Sequence, residues 1–151
     1  MTLHHETLVL EREYPHPKAR VMEAFSTVEG YTAWSSPAPG AEVTVDPFEF
    51  HVGGQAVVRM DAGEEGGVWV NTDRFVDIGP DHIVQACTLE GPPGLECAST
   101  VTLEFTETPA GCKLSVTEQG TFFMGDEGAM GHQEGWTAML ASLAEWLDSR
   151  A

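Results

Sequence analysis

Three cysteines (Cys87, Cys97, Cys112), six histidines (His4, His5, His16, His51, His82, His132) and the adjacent glycines Gly53 and Gly54 in "DPFEFHVGGQAVVRM" are the residues whose types could do chemistry. The cysteines are odd in number and lack any C-x-x-C spacing, which argues against a zinc knuckle or a thioredoxin-like redox pair. Buried, inert thiols in a reducing compartment are expected instead. No two histidines stand at i, i+4 on a helical pattern, and none joins a cysteine at ligand spacing, so neither a metal nor a cofactor is expected. His4 and His5 fall in a segment expected to fray, and His16, His82 and His132 in separate loops or helix ends.

A phosphate-cradling loop needs its glycines at the join of a strand and a helix, so that helix N-terminal amides face the anion. Here "HVGG" is followed by a second strand pattern. Gly53 and Gly54 therefore read as turn or bulge residues that adopt angles costly for other side chains. Ser35, Ser36 and Ser99 lack the G-x-S-x-G elbow, and the acids are spread along polar faces. Carboxylate catalysis requires two acids converging in a shielded pocket, which their order along the chain does not establish. No catalytic residue is assigned, and enzyme activity stays open but unsupported.

Twenty-four Asp and Glu stand against seven Lys and Arg, a formal net charge of −17. Such a surface repels nucleic acid and anionic headgroups, both of which need basic patches. No apolar run approaches the ~20 residues of a membrane span, and "MTLHHETLVLEREY" lacks the basic end and apolar stretch of a secretory signal. A soluble, cytoplasmic protein without membrane insertion is expected. Its 151 residues fit one domain, 1–151.

The elements that must position these groups follow from periodicity. "ETLVLEREY" alternates as a first strand, and "PKARVMEAFST" places Val21, Met22 and Phe25 on one helical face. "VEGYTAWSSPAPG" predicts another helical turn reaching Trp34, broken by Ser, Pro and Gly. From Ala41 to about Gly120 the period falls to two, giving six strands with short Gly-, Pro- and Asp-rich separators, hence an antiparallel meander. Val101, Leu103 and Phe105 alternate with Thr102, Glu104 and Thr106, so one sheet face needs a cover. "GHQEGWTAMLASLAEWLDSR" supplies it, with Trp136, Met139, Leu140, Leu143, Trp146 and Leu147 at spacings of three and four. The fold class is α+β: a curved antiparallel sheet of about seven strands around a long C-terminal helix, with two short helices after the first strand.

That order of elements, together with "FSTVEGYTAW", "GGQAVVRM", "FVDIGPDHIV" and "GWTAMLASLAEWL", resembles the activator-of-heat-shock-protein-ATPase-like family of the START (SRPBCC, birch-pollen-allergen-like) superfamily over nearly the whole chain. The resemblance implies a helix-grip fold with a cavity between sheet and C-terminal helix. Members bind hydrophobic or amphipathic small molecules or act through protein contacts, and some related families are cyclases or hydrolases; fold alone does not choose. His51 stands where family members often carry an arginine, with Glu49 at the acidic position, and a structural Glu49–His51 pair is expected.

Three functions stay open: a non-catalytic carrier or sensor of a hydrophobic or amphipathic small molecule, a lipid among them, an interaction module acting on a protein partner such as a chaperone ATPase in a stress response, or a small cyclase, lyase or hydrolase. The oligomeric state stays open between monomer and homodimer. The ligand-binding candidates are Trp34, Trp69, Phe75, Phe122, Trp136, Met139 and Leu140 as apolar walls, with Phe123 beside them, and Asn71 or Arg74 as a polar anchor for a carboxylate or carbonyl. Neither face of "GVWVNTDRFVDI" is cleanly apolar, which predicts a bulge near Asp73. If "EGPPGLE" is a hairpin loop, simple pairing sets Cys87 opposite Cys97, both inward and reduced.

Overall fold

The computed structural model describes residues 3–150. Strand β1 (His4–Tyr14) leads into two short helices, α1 (Lys18–Ser26) and α2 (Val28–Trp34). Then come β2 (Glu42–Phe48), β3 (Gln55–Asp61), the single helical turn α3 (Gly63–Gly66), β4 (Val68–Ile78), β5 (His82–Gly91), β6 (Gly94–Thr108), β7 (Gly111–Phe122) and the long helix α4 (Asp126–Ser149). The seven strands form one antiparallel sheet in the order β1-β7-β6-β5-β4-β3-β2, so the meander is closed off by β1 pairing back onto β7. It is a helix-grip fold, with the curved, open sheet gripping α4.

Period-two burial and helical periodicity meet in one core. Val101, Leu103 and Phe105 of β6 and Cys112, Leu114 and Val116 of β7 face Trp136, Leu140, Leu143 and Leu147 of α4, all of them buried. Fully burying each Leu contributes about 1.5–3 kcal/mol, so this seam dominates the stability of the helix on the sheet. A polar tie fixes it laterally, the Tyr14 hydroxyl donating to the Leu140 carbonyl at 2.8 Å, while the Trp34 indole N–H donates to the Ala24 carbonyl at 2.9 Å and joins α2 to α1. Helices α1 and α2 lie close together because Gly30 has no side chain; a Cβ there would come within 2.5 Å of the Ala24 Cα.

The glycine pair is a turn. Gly53 adopts φ +89°, and a Cβ on Gly54 would meet the Glu49 carbonyl at 2.2 Å. The expected Glu49–His51 pair does not form: Glu49 Oε1 accepts from the Gln55 N–H at 3.3 Å, while the exposed His51 ring lies 3.1 Å from the Val52 carbonyl. His4 and His5 are not frayed, because both are held in β1 opposite Phe122 and Thr121.

Two bulges set which side chains point inward. In β4 the shift falls at Val76, between Phe75 and Asp77, rather than near Asp73. Trp69, Asn71, Asp73 and Phe75 therefore share the inner face, and Arg74 is exposed on the other. In the β5–β6 hairpin, Glu90 pairs with Leu95 but Leu89 pairs with Cys97, so Glu96 is an extra residue. Simple pairing consequently fails: Cys87 lies opposite Ser99, and Cys97 sits on the diagonal. The inward placement of both thiols holds, and all three cysteines are free and buried. The bulge also turns Glu96 inward, leaving it 7% exposed.

Candidate functional site

A cavity of about 360 Å³ opens between the inner face of the sheet, the segment after α2, and the N-terminal half of α4. Its walls are apolar. Trp34 and Trp136 stack with ring centres 6.0 Å apart, and Trp69, Met60, Leu89 and Met139 continue the lining. Trp69 is pinned at the rim by its indole N–H donating to the Gly66 carbonyl at 2.9 Å.

The deep end is polar, with two hydrogen-bonded clusters. In the first, the Asp73 carboxylate accepts from the Tyr31 hydroxyl at 2.5 Å and from the Asn71 amide at 2.7 Å, while Tyr31 itself accepts from Gln85 at 2.9 Å. Burial pushes the Asp73 carboxyl above its ordinary range, although the Cys87, Tyr31 and Asn71 donors pull the other way. Burial, with Asp73 beside them, also drives the Tyr31 hydroxyl and the Cys87 thiol well up.

In the second cluster, His132 on α4 lies between two buried carboxylates, with Nδ1 3.0 Å from Glu118 Oε1 and Nε2 2.8 Å from Glu96 Oε2. Glu118 also accepts from the Trp136 indole at 3.0 Å and the Ser99 hydroxyl at 2.6 Å. Burial disfavours the imidazolium, but the two carboxylates outweigh it and hold His132 at about 9, so it is charged at neutral pH. For Glu118 burial acts upward, and the bonds from His132, Ser99 and Trp136 overcome it and keep the carboxyl below its ordinary range.

Cys97, Glu118 and His132 also bring metal-ligating atoms within 4.8 Å of one another. Both His132 nitrogens are committed to carboxylates, and burial lifts the Cys97 thiol to about 12, so a cation here would have to displace two protons. The donor set as it stands is that of a closed ion-pair cluster.

The profile of the family described as Activator of Hsp90 ATPase homolog 1-like protein matches residues 15–148. The chain belongs to this family. Among solved structures, a protein from Rhizobium loti is similar over 96% of this chain and 99% of its own, with 35% identity and a TM-score of 0.83. One from Rhizobium leguminosarum shares 27% identity, covering 98% and 97% of the two chains with a TM-score of 0.85. An AHSA1-like protein from Aeromonas hydrophila, 16% identical over 96% and 94% of the chains, has the same fold at a TM-score of 0.75. No curated protein matches the sequence.

Within this member of the Activator of Hsp90 ATPase homolog 1-like family, Trp34, Trp69, Asn71, Trp136 and Met139 are brought together around the cavity. Four other sequence candidates lie elsewhere. Arg74 is on the opposite face of the sheet, and Phe75 is sealed in an aromatic cluster with Phe48 and Phe50. Leu140 belongs to the helix–sheet seam, and Phe122 packs under α4 edge-on to the His132 ring. The neighbouring Phe123 is half-buried at the end of β7.

Apart from Asn71, the polar end was not anticipated from the sequence, but part of it carried a signal. Glu118 shares the parity of Cys112, Leu114 and Val116; Gln85 shares that of Ile83 and Cys87; His132 stands four residues before Trp136 on the same helical face. Asp73 needed the position of the β4 bulge, and Glu96 the bulge in β6, neither of which has a residue signature in the strands themselves.

Proposed function

We propose that this chain binds, without chemical conversion, one small hydrophobic or amphipathic molecule in the cavity between sheet and α4. The single domain 1–151 then serves as a carrier or sensor. The supporting observation is the cavity's two-part character: about 360 Å³ walled by indoles and aliphatic side chains, ending in fixed, buried polar groups. Specific small-molecule sites have this composition, with apolar area giving affinity and a few polar groups giving orientation. Trp34, Trp69, Trp136 and Met139 act as walls, with Asn71 at the polar end.

The interaction-module reading finds less support. Large exposed apolar side chains such as Val9, Val28, Val52, Val76 and Leu95 are dispersed over β1, α2, the turn after β2, β4 and β6. Catalysis would need a titratable group free to exchange protons with a substrate, whereas Asp73 is held by Tyr31 and Asn71, and His132 by Glu118 and Glu96.

An environment-sensitive apolar dye tests the proposal. It should bind saturably at one site, quench tryptophan emission, and lose affinity at least ten-fold in Met139→Trp, which fills part of the cavity. A folded protein that binds neither dye nor any displacing apolar compound would overturn it.

A further inference from the structure

Resting on that reading, we infer that the cavity selects an organic cation: an ammonium or amidinium head carried on an aromatic or alkyl body. The argument starts from hydrogen-bond supply. The indole N–H groups of Trp34, Trp69 and Trp136 are spent on the Ala24 carbonyl, the Gly66 carbonyl and Glu118. The Ser35 and Ser36 hydroxyls donate to the carbonyls of Tyr31 and Ala38. The amides of Asn71 and Gln85 point into the Asp73–Tyr31 cluster. Apart from the second N–H of each of these two amides, the cavity's side-chain donors are thus turned toward the protein.

Its acceptors are not exhausted. A carboxylate has about four lone-pair sites. Glu96 has one bond from His132, Asp73 has three, from Tyr31, Asn71 and the Cys87 thiol, and Glu118 has three, from His132, Trp136 and Ser99. A ligand head that brings N–H groups meets open acceptors. A head that brings only lone pairs meets none of the committed donors.

Charge points the same way. The lining contains Asp73, Glu96 and Glu118 but neither Lys nor Arg, and its one cationic group, His132, is shared between two carboxylates. Tyr31 accepts from Gln85 and so turns its own proton toward Asp73, and both Asp73 oxygens act as acceptors, as an ionised carboxylate requires. Three carboxylates against one imidazolium leave the cavity net negative, within a chain whose formal charge is −17. Low-dielectric walls prevent water from screening that field. The three lining indoles add faces that attract a desolvated cation. Arg74, the one cationic side chain among the anchors expected from the sequence, faces away.

Three probes on one skeleton separate the possibilities: 1-naphthylethylamine, 1-naphthylethanol and 1-naphthylacetate, titrated calorimetrically at neutral pH and low salt. The amine should bind at least ten-fold tighter than the alcohol, and the carboxylate more weakly than either. Asp73→Asn, which keeps an acceptor for Tyr31, should bring amine and alcohol to equal affinity. Glu96→Gln serves the same purpose if that variant does not fold. Alcohol or carboxylate binding as tightly as the amine would overturn the cation preference and leave the cavity reading standing. Saturable binding by none of the three to folded protein would overturn both.

Discussion

Tyr31 and Asp73 meet in a 2.5 Å hydrogen bond beneath the cavity, joining α2 to the middle of β4. Each is the other's main polar partner in a region with almost no access to water. This bond ties the helical cover to the sheet at the point where a ligand head would rest.

Removing the Tyr31 hydroxyl leaves Asp73 short of a donor and the Gln85 amide short of an acceptor. An unsatisfied buried group costs about 1–3 kcal/mol. Tyr31→Phe should therefore lose stability in that range in urea melts, and Asp73→Asn should lose less in the Tyr31→Phe background than alone. Additive losses would mean that the two side chains are not coupled.

The elements were legible because each carries its own period. The alternation of Val101, Leu103 and Phe105 and the three-and-four spacing from Trp136 to Leu147 are local properties, and both predict the faces found buried. The polar site was legible only in part, because Asp73 and Glu96 depend on irregularities. One extra residue at Glu96 reverses the parity of everything before it in β6, and a bulge is fixed by pairing across strands rather than by the residue bulged. Helix α4 also begins at Asp126, ahead of the apolar pattern, and this is what carries His132 over Glu118. Arg74 illustrates the converse: its mid-strand charge looked like an anchor, yet strict alternation up to Phe75 sends it to solvent.

The His132 cluster predicts a pH dependence with a definite sign. Its folded-state value, about 9, lies above the ordinary 6.5, so its contribution is complete below about pH 6.5 and is lost as pH rises through about 9. At neutral pH His132→Gln removes the cation between Glu96 and Glu118 and should cost about 3 kcal/mol. The gap between wild type and variant should narrow between pH 7 and 10. A gap that is constant over that window would show that His132 is not held as an imidazolium. On the acid side Glu118 acts in the opposite sense: its lowered value gives a contribution present above the ordinary 4.5 and lost as pH falls through the folded value.

The seam between α4 and the sheet should be the least tolerant part of the molecule. Leu143 is 1% exposed, and Leu143→Ala should cost about 2–5 kcal/mol through lost transfer energy and the cavity left behind. Leu143→Asp, or truncation after Gly131, should leave no cooperative thermal transition, because the inner face of the sheet would lose its cover. A soluble truncated chain that melts cooperatively would contradict the role given to α4.

Thiol reactivity reports the inward placement of β5 and β6 one residue at a time. Cys97 is 1% exposed with its thiol pushed up to about 12, and Cys87 at the cavity floor is driven well above its ordinary value by burial and by Asp73. Alkylation proceeds through the thiolate, so both barriers act together: little access, and a very small reactive fraction at neutral pH. Iodoacetamide should modify Cys87 and Cys97 slowly in the native protein and rapidly in urea, with mass spectrometry resolving the two sites. A cavity ligand should slow Cys87 further while leaving Cys97 unchanged, because only Cys87 lines the cavity. Rapid native labelling of Cys97 would mean that this part of β6 does not face the core, and the neighbouring Glu96–His132–Glu118 cluster would fall with it.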